Sequence, residues 1–197
     1  MNKGVVSVLV AYLIWGLYPF YFHAMQHVAP TEIVIHRVLW TFALLAVYLF
    51  CSRRWRWIQK AITDRRTVAV FLMSSVLITA NWSTYTYAIV TNQTLEASLG
   101  YFMNPLVSVL LGTVFLKEKL NKAQMLAIVF ACAGVMWVTF KQGEFPALGL
   151  TLALSFGFYG LVRKMAPLGS LEGLTLETAF AFPVALLATF YFAGNGD

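Results

Sequence analysis

EIVIHRVLWTFALLAVYLFC, residues 32–51, decides what kind of protein this is. From Val38 to Cys51 it carries no charged side chain, which is the composition of a helix that lies in hydrocarbon. Arg37 lies inside the same run, five residues past Glu32. At about 1.5 Å of rise per residue it sits roughly 7–9 Å below the membrane surface. A guanidinium facing lipid costs about 2.5–3.5 kcal/mol near the bilayer centre even on the lenient insertion scale. It therefore either snorkels to the headgroups or faces protein or a wet cavity, and the second reading is preferred.

The rest of the chain has the same character. Of its 197 residues, 60% are hydrophobic and 11% charged, and the mean hydropathy is +0.73. A soluble domain carries about 25% charge, so there is too little polar surface here to cover a water-soluble globule. Apolar runs recur at 4–25, 31–51, 67–90, 97–116, 123–140, 147–163 and 172–192. Turn-forming stretches such as Thr91-Asn92-Gln93, Gln142-Gly143-Glu144 and Pro167-Leu168-Gly169-Ser170 separate them. The expected fold is an all-α polytopic membrane protein with about seven transmembrane helices. No cleavable leader is expected, because the first run has only Lys3 before it and no small-residue site that suits cleavage.

Charge gives the expected orientation. Lys3, the Arg53–Arg66 cluster, Lys117, Lys119, Lys122, Arg163 and Lys164 all fall on one side of the spans, and only Lys141 falls on the other. This positive-inside pattern predicts a cytoplasmic N-terminus. It also explains the net charge of +6 as topogenic, so no nucleic-acid partner is expected. RRWRW at 53–57 reads as an interfacial stretch against anionic lipid.

The spans repeat. Glu32 and Arg37 open the second span as Glu172 and Glu177 open the seventh. Trp15-Gly16-Leu17-Tyr18 similarly matches Phe156-Gly157-Phe158-Tyr159. A five-helix unit repeated after an odd number of crossings enters the membrane inverted, as in secondary transporters. On this reading residues 1–143 hold a complete first repeat and 144–197 two helices of an inverted second.

The stretches AYLIWGLYPFYF (11–22), EIVIHRVLW (32–40), NWSTYTYAIV (81–90), LEASLGYFMNPLVSVLLGTVFLKEKL (95–120) and LTLETAFAFPVALL (174–187) carry a family resemblance. The chain resembles the EamA-type drug/metabolite transporters, and more closely their RarD-type members, labelled chloramphenicol-sensitive proteins or permeases. The resemblance implies ten helices in two inverted halves and solute movement across a bacterial inner membrane. It also implies three further helices, so the chain is read as C-terminally truncated. Lys117 precedes Glu118 where the family commonly has glycine.

Candidate substrate-path residues follow from polar and aromatic side chains inside spans: Arg37, Asn81, Trp82, Tyr85, Tyr101, Asn104 and Glu177. Asn81 and Tyr85 share a helix face at i,i+4, and that stripe serves equally as a path lining or as interhelical hydrogen-bonding glue. Pro105 follows Asn104 and frees backbone acceptors. Glu177 is expected about 12–15 Å from Arg37 in depth across a core of roughly 30 Å, one charge near each mouth, with a proton-coupling role for Glu177. Trp15, Tyr18 and Tyr21 are expected to pack in the core, and Gly16, Gly112, Gly157 and Gly160 to permit close helix approach. His23 and His27 are read as interfacial, and Cys51 and Cys132 as structural, so no metal or other cofactor is expected. No GxxxxGK[ST], GxSxG or HExxH motif is present, so neither ATP hydrolysis nor enzyme chemistry is indicated. The expected function is secondary transport of a small amphipathic solute, with membrane lipid, that solute, an ion or proton gradient and a homodimer as candidate partners. The alternative is a truncated or half-module membrane protein with no transport activity of its own.

Overall fold

The computed structural model describes residues 3–53, 55–143 and 145–195. Arg54 of the basic stretch and Glu144 of the fifth break lie outside them. Among the described residues there are eight helices and no strand: α1 (Lys3–His23), α2 (Pro30–Ser52), α3 (Arg56–Thr63), α4 (Arg65–Val90), α5 (Thr94–Leu116), α6 (Lys122–Gln142), α7 (Ala147–Lys164) and α8 (Ser170–Asn195). All helices except α3 and α7 are long and apolar enough to cross a membrane. α7, expected as a span, is a helix of 18 residues whose last turn holds Arg163 and Lys164. Those two charges keep its apolar stretch short.

Local chemistry sets the helix ends. Pro30 opens α2, where its missing N–H costs nothing. Asp64 caps α4 by accepting from the Arg66 and Thr67 backbone N–H groups and from the Thr67 hydroxyl. Asn121 and Gln124 form a reciprocal capping box at α6. Gly143 closes α6 at φ 71°, in the left-handed region that glycine enters without a Cβ penalty.

α4 is the hub, packed against α7, α8 and α2 and touching α1, α3 and α5. α5 and α7 form the closest pair and α2 packs on α8. Phe22, Ile33, Tyr85, Ile89, Ala97 and Leu152 join α1, α2, α4, α5 and α7 in one buried cluster. Ala61, Phe71 and Leu176 form a second, linking α3, α4 and α8, with Trp57 and Phe180 against it. The basic stretch after α2 thus leads into a short amphipathic helix, α3, that buries Ala61. Outward, α6 buries no described residue, and Phe130, Trp137 and Phe140 are 68%, 67% and 82% exposed. That surface suits hydrocarbon and not water.

Glycine governs the α5–α7 contact, at positions other than most of those expected. A Cβ on Gly100 would lie 2.8 Å from the Gly149 carbonyl oxygen, and one on Gly149 would lie 3.0 Å from the Glu96 carbonyl oxygen. Gly157 is tight against Val107, as expected. Gly16 and Gly160 instead face open space, and Gly112 meets only the Glu118 side chain that follows its own helix. The Glu96 carboxylate accepts from the Leu148 N–H at 3.1 Å, which satisfies one free donor at the start of α7.

Candidate functional site

Ile33, His36, Arg37, Trp40, Thr41 and Leu44 recur at three- and four-residue intervals, so one face of α2 carries them all. That face lines an open-sided cavity of about 770 Å³, bordered by Tyr18, Tyr21 and Phe22 of α1, by Trp82 of α4 and by Leu174 of α8. From Ile33 to Leu44 the cavity follows α2 for roughly 16 Å. Arg37 and His36 both reach it, although successive helix positions point apart. His36 also stands 4.0 Å from Glu32.

Arg37 is half-buried and lies over the Trp82 indole, 4.1 Å from the ring centroid. Tyr18, Tyr85 and Tyr101 lie in its neighbourhood. Those rings continue a ladder of edge-to-face contacts: Tyr18 to Phe22 at 6.1 Å, Phe22 to Tyr85 at 5.8 Å and Tyr85 to Tyr101 at 5.8 Å. Tyr18 packs against the buried cluster, as expected, and also borders the cavity, whereas Tyr21 and Trp15 are more than half exposed. The reason is that α1 makes its helix contacts chiefly with α4, which leaves most of its aromatic face uncovered.

Glu177 belongs to a second constellation. Its side chain is fully buried. The Ser74 hydroxyl donates to it at 2.5 Å and the Tyr159 hydroxyl at 3.3 Å, while Arg163 Nε stands 3.6 Å away. Ser75 donates to the Glu177 backbone carbonyl at 2.6 Å. Arg163 also donates from Nη2 to the Gly169 carbonyl at 3.0 Å and lies over the Phe71 ring. Its buried Nη1 has no hydrogen-bond partner among the described residues. A Cβ on Gly173 would collide with this guanidinium, so Gly173 makes the space for it. Arg163, counted by charge among the topogenic residues, turns inward because a buried carboxylate at 3.6 Å outweighs solvation at the helix end. Lys164, its neighbour, pairs with Glu118 at the surface.

The remaining candidates separate. Asn81 is buried and donates to the Leu152 carbonyl at 3.1 Å and the Ser155 hydroxyl at 3.0 Å, tying α4 to α7. Asn104 accepts from Ser108 at 3.3 Å within its own helix and does not line the cavity. Arg37 and Trp82 therefore meet at the cavity, Tyr85 and Tyr101 are joined to its lining only through the ring contact of Tyr85 with Phe22, and Asn81, Asn104 and Glu177 lie elsewhere. Arg163, Ser74 and Tyr159 were not anticipated. The signals were present: a serine pair inside an apolar span, and a tyrosine that the expected repeat would set opposite Tyr18. Among the described residues no cluster of His, Cys, Asp or Glu could hold a metal ion.

Comparison with known proteins identifies this architecture. Residues 2–140 match the EamA-like transporter family. The uncharacterized transporter YojE of Bacillus subtilis is 42% identical over 188 residues, covering 94% of this chain and 63% of that protein. Protein RarD of Escherichia coli is 39% identical over 194 residues, covering 98% and 66%. The chloramphenicol-sensitive protein RarD of Pseudomonas aeruginosa is 29% identical over 194 residues, covering 96% and 65%. The chain thus spans a little under two thirds of the length of the curated relatives it matches. No solved structure matches it. A bundle of long apolar helices with these matches is a multi-pass membrane protein, and the chain belongs to the EamA-like transporter family as a RarD-type member.

Proposed function

We propose that the chain is part of a secondary permease of the bacterial inner membrane that moves a small amphipathic solute through the α1–α2–α4 cavity. Its N-terminus is cytoplasmic by the positive-inside pattern. Residues 1–143 act as the first repeat and 144–197 as part of an inverted second, with α2 and α8, the paired helices of that repeat, packed on each other. The observation that carries this reading is a membrane-embedded arginine on the wall of a cavity large enough for a small molecule. Arg37 and Trp82 contact the solute, with Tyr85 and Tyr101 supporting that wall. Asn81 and Asn104 shape the helices beside it. Glu177 takes up the coupling proton, and movement of that proton is felt through Arg163, Ser74 and Tyr159. The name of the Pseudomonas relative makes chloramphenicol one solute to try.

The test is flux into proteoliposomes with an imposed pH gradient. Arg37→Gln is expected to change flux while the protein remains folded and inserted. Glu177→Gln is expected to abolish the gradient dependence, and dependence that survives would remove the proton-coupling role. A well-inserted chain without flux of any candidate solute would favour the half-module alternative.

A further inference from the structure

Resting on the reading of the cavity as the solute path, the geometry points to a solute with an anionic group on an aromatic body, such as a small arylacetate. The first argument is a census of acids. Of the eight in the chain, Glu32 stands beside His36, Asp64 caps α4, Glu96 serves the start of α7, Glu118 pairs with Lys164 and Glu177 with Arg163. Glu172 folds back over Gly169. Glu144 and Asp197 fall outside the described residues. Among the described residues, then, no carboxylate is within ion-pair distance of Arg37, and the cavity wall carries an uncompensated positive charge.

The second argument is orientation. One face of the Arg37 guanidinium rests on the Trp82 indole. Its N–H donors point along the edges of the plane and take no hydrogen-bond acceptor among the described residues, which leaves the bidentate geometry that a carboxylate fits. The third is the wall itself: Tyr18, Tyr21, Phe22 and Trp40 offer ring faces and edges for an aromatic body. A neutral aromatic solute would fill the same space and leave the guanidinium without a counter-charge in a medium that penalises it. The oxyanion of an anionic lipid headgroup offers the same chemistry, so the test separates the two sources.

The experiment is equilibrium dialysis of the 197-residue chain in phosphatidylcholine nanodiscs with radiolabelled indole-3-acetate and its neutral match, indole-3-acetamide. The acetate is expected to bind about tenfold tighter, the scale of one charge-assisted contact. Arg37→Gln should remove the preference and Arg37→Lys should keep part of it. Trp82→Leu, which retains the charge, should weaken both probes and keep the preference. Equal binding by the unaltered chain, or binding of neither probe, overturns the inference, as does a preference that persists in Arg37→Gln. A preference that holds when phosphatidylglycerol is added supports a solute site. One that vanishes with that lipid assigns Arg37 to a headgroup and overturns the solute. Charge-selective binding without flux would leave this inference standing and sink the transport reading; equal flux of both probes would do the reverse.

Discussion

Arg163 and Glu177 face each other at 3.6 Å inside the bundle, the carboxylate with no exposed side-chain surface and the arginine side chain with 16%. Two further donors, from Ser74 and Tyr159, complete the carboxylate's shell. α7 and α8 are thereby joined by charge, and α4 is tied to α8 by the Ser74 and Ser75 hydroxyls.

Breaking this pair from one side is expected to cost more than removing both halves. Arg163→Met leaves the Glu177 charge buried with neutral donors only, at a cost of about 3 kcal/mol, or a Tm lower by roughly 6–12 °C. Adding Glu177→Gln should recover at least half of that. Thermal unfolding of the single and double variants in one detergent gives the coupling directly. Strictly additive losses would mean that the two groups do not depend on each other.

The glycine contact between α5 and α7 gives a sharper contrast. Gly100→Ala pushes a methyl group against the Gly149 carbonyl and the Leu152 side chain, with backbone on one side that cannot yield. Overpacking of this kind costs about 1–3 kcal/mol. Gly16→Ala and Gly160→Ala, where nothing lies within 4 Å, should be neutral or slightly stabilising through helix propensity. Equal Tm values for Gly100→Ala and Gly160→Ala would refute the close contact.

Asn81 and Asn104 are the same residue type with different employment. Asn81→Leu removes two hydrogen bonds between helices and should lower stability by roughly 0.5–1.5 kcal/mol, the range for polar contacts within membranes. Asn104→Leu loses only a contact to Ser108 on its own helix and should change little. Urea-free thermal scans suffice to rank them; the reverse order would contradict the assignment of Asn81 as a tie between α4 and α7.

Asp64 links stability to pH. Hydrogen bonds from Thr67, side chain first and then backbone, hold its carboxyl below the ordinary aspartate value. A depressed folded-state value means that the carboxylate stabilises the fold above the unfolded value and loses that contribution as pH falls through the folded one. The Tm gap between the unaltered chain and Asp64→Ala should therefore be full at neutral pH and shrink below about pH 4. A gap that stays constant down to pH 2 would show that the charge of Asp64 contributes nothing to the cap.

Much of this architecture is legible in the sequence because hydrocarbon imposes length and composition on each span. Val38–Cys51 could hardly be anything but a membrane helix. α3 escaped because its eight residues, RWIQKAIT, are too short and polar for a span and begin inside the RRWRW stretch that reads as interfacial, and only the packing of Ala61 against α4 and α8 distinguishes them. Arg163 escaped for a different reason. An arginine in the last turn of an apolar run, followed by lysine, looks topogenic whichever way it turns. What turns it inward is Glu177, and Gly173, ten positions later on another helix, leaves room for the guanidinium. Arg37 was recognisable as a charge that must face protein or water, but its neighbour on α4 was not. Likewise Gly100 and Gly149 gain meaning only once their two helices cross.

That crossing constrains how the protein can move. In the proposed division of the chain α7 opens the second repeat, yet at Gly100 and Gly149 it meets α5 of the first with no side chain between the two glycines. Prising the two apart would open a gap along bare backbone, where no rotamer change can refill the space. Under the proposed repeat the units that travel together would therefore not be the units that repeat: α7 would ride with α5, and the rocking proposed for transport would have its hinge at the seam between α2 and α8 or where α1 leans on α4.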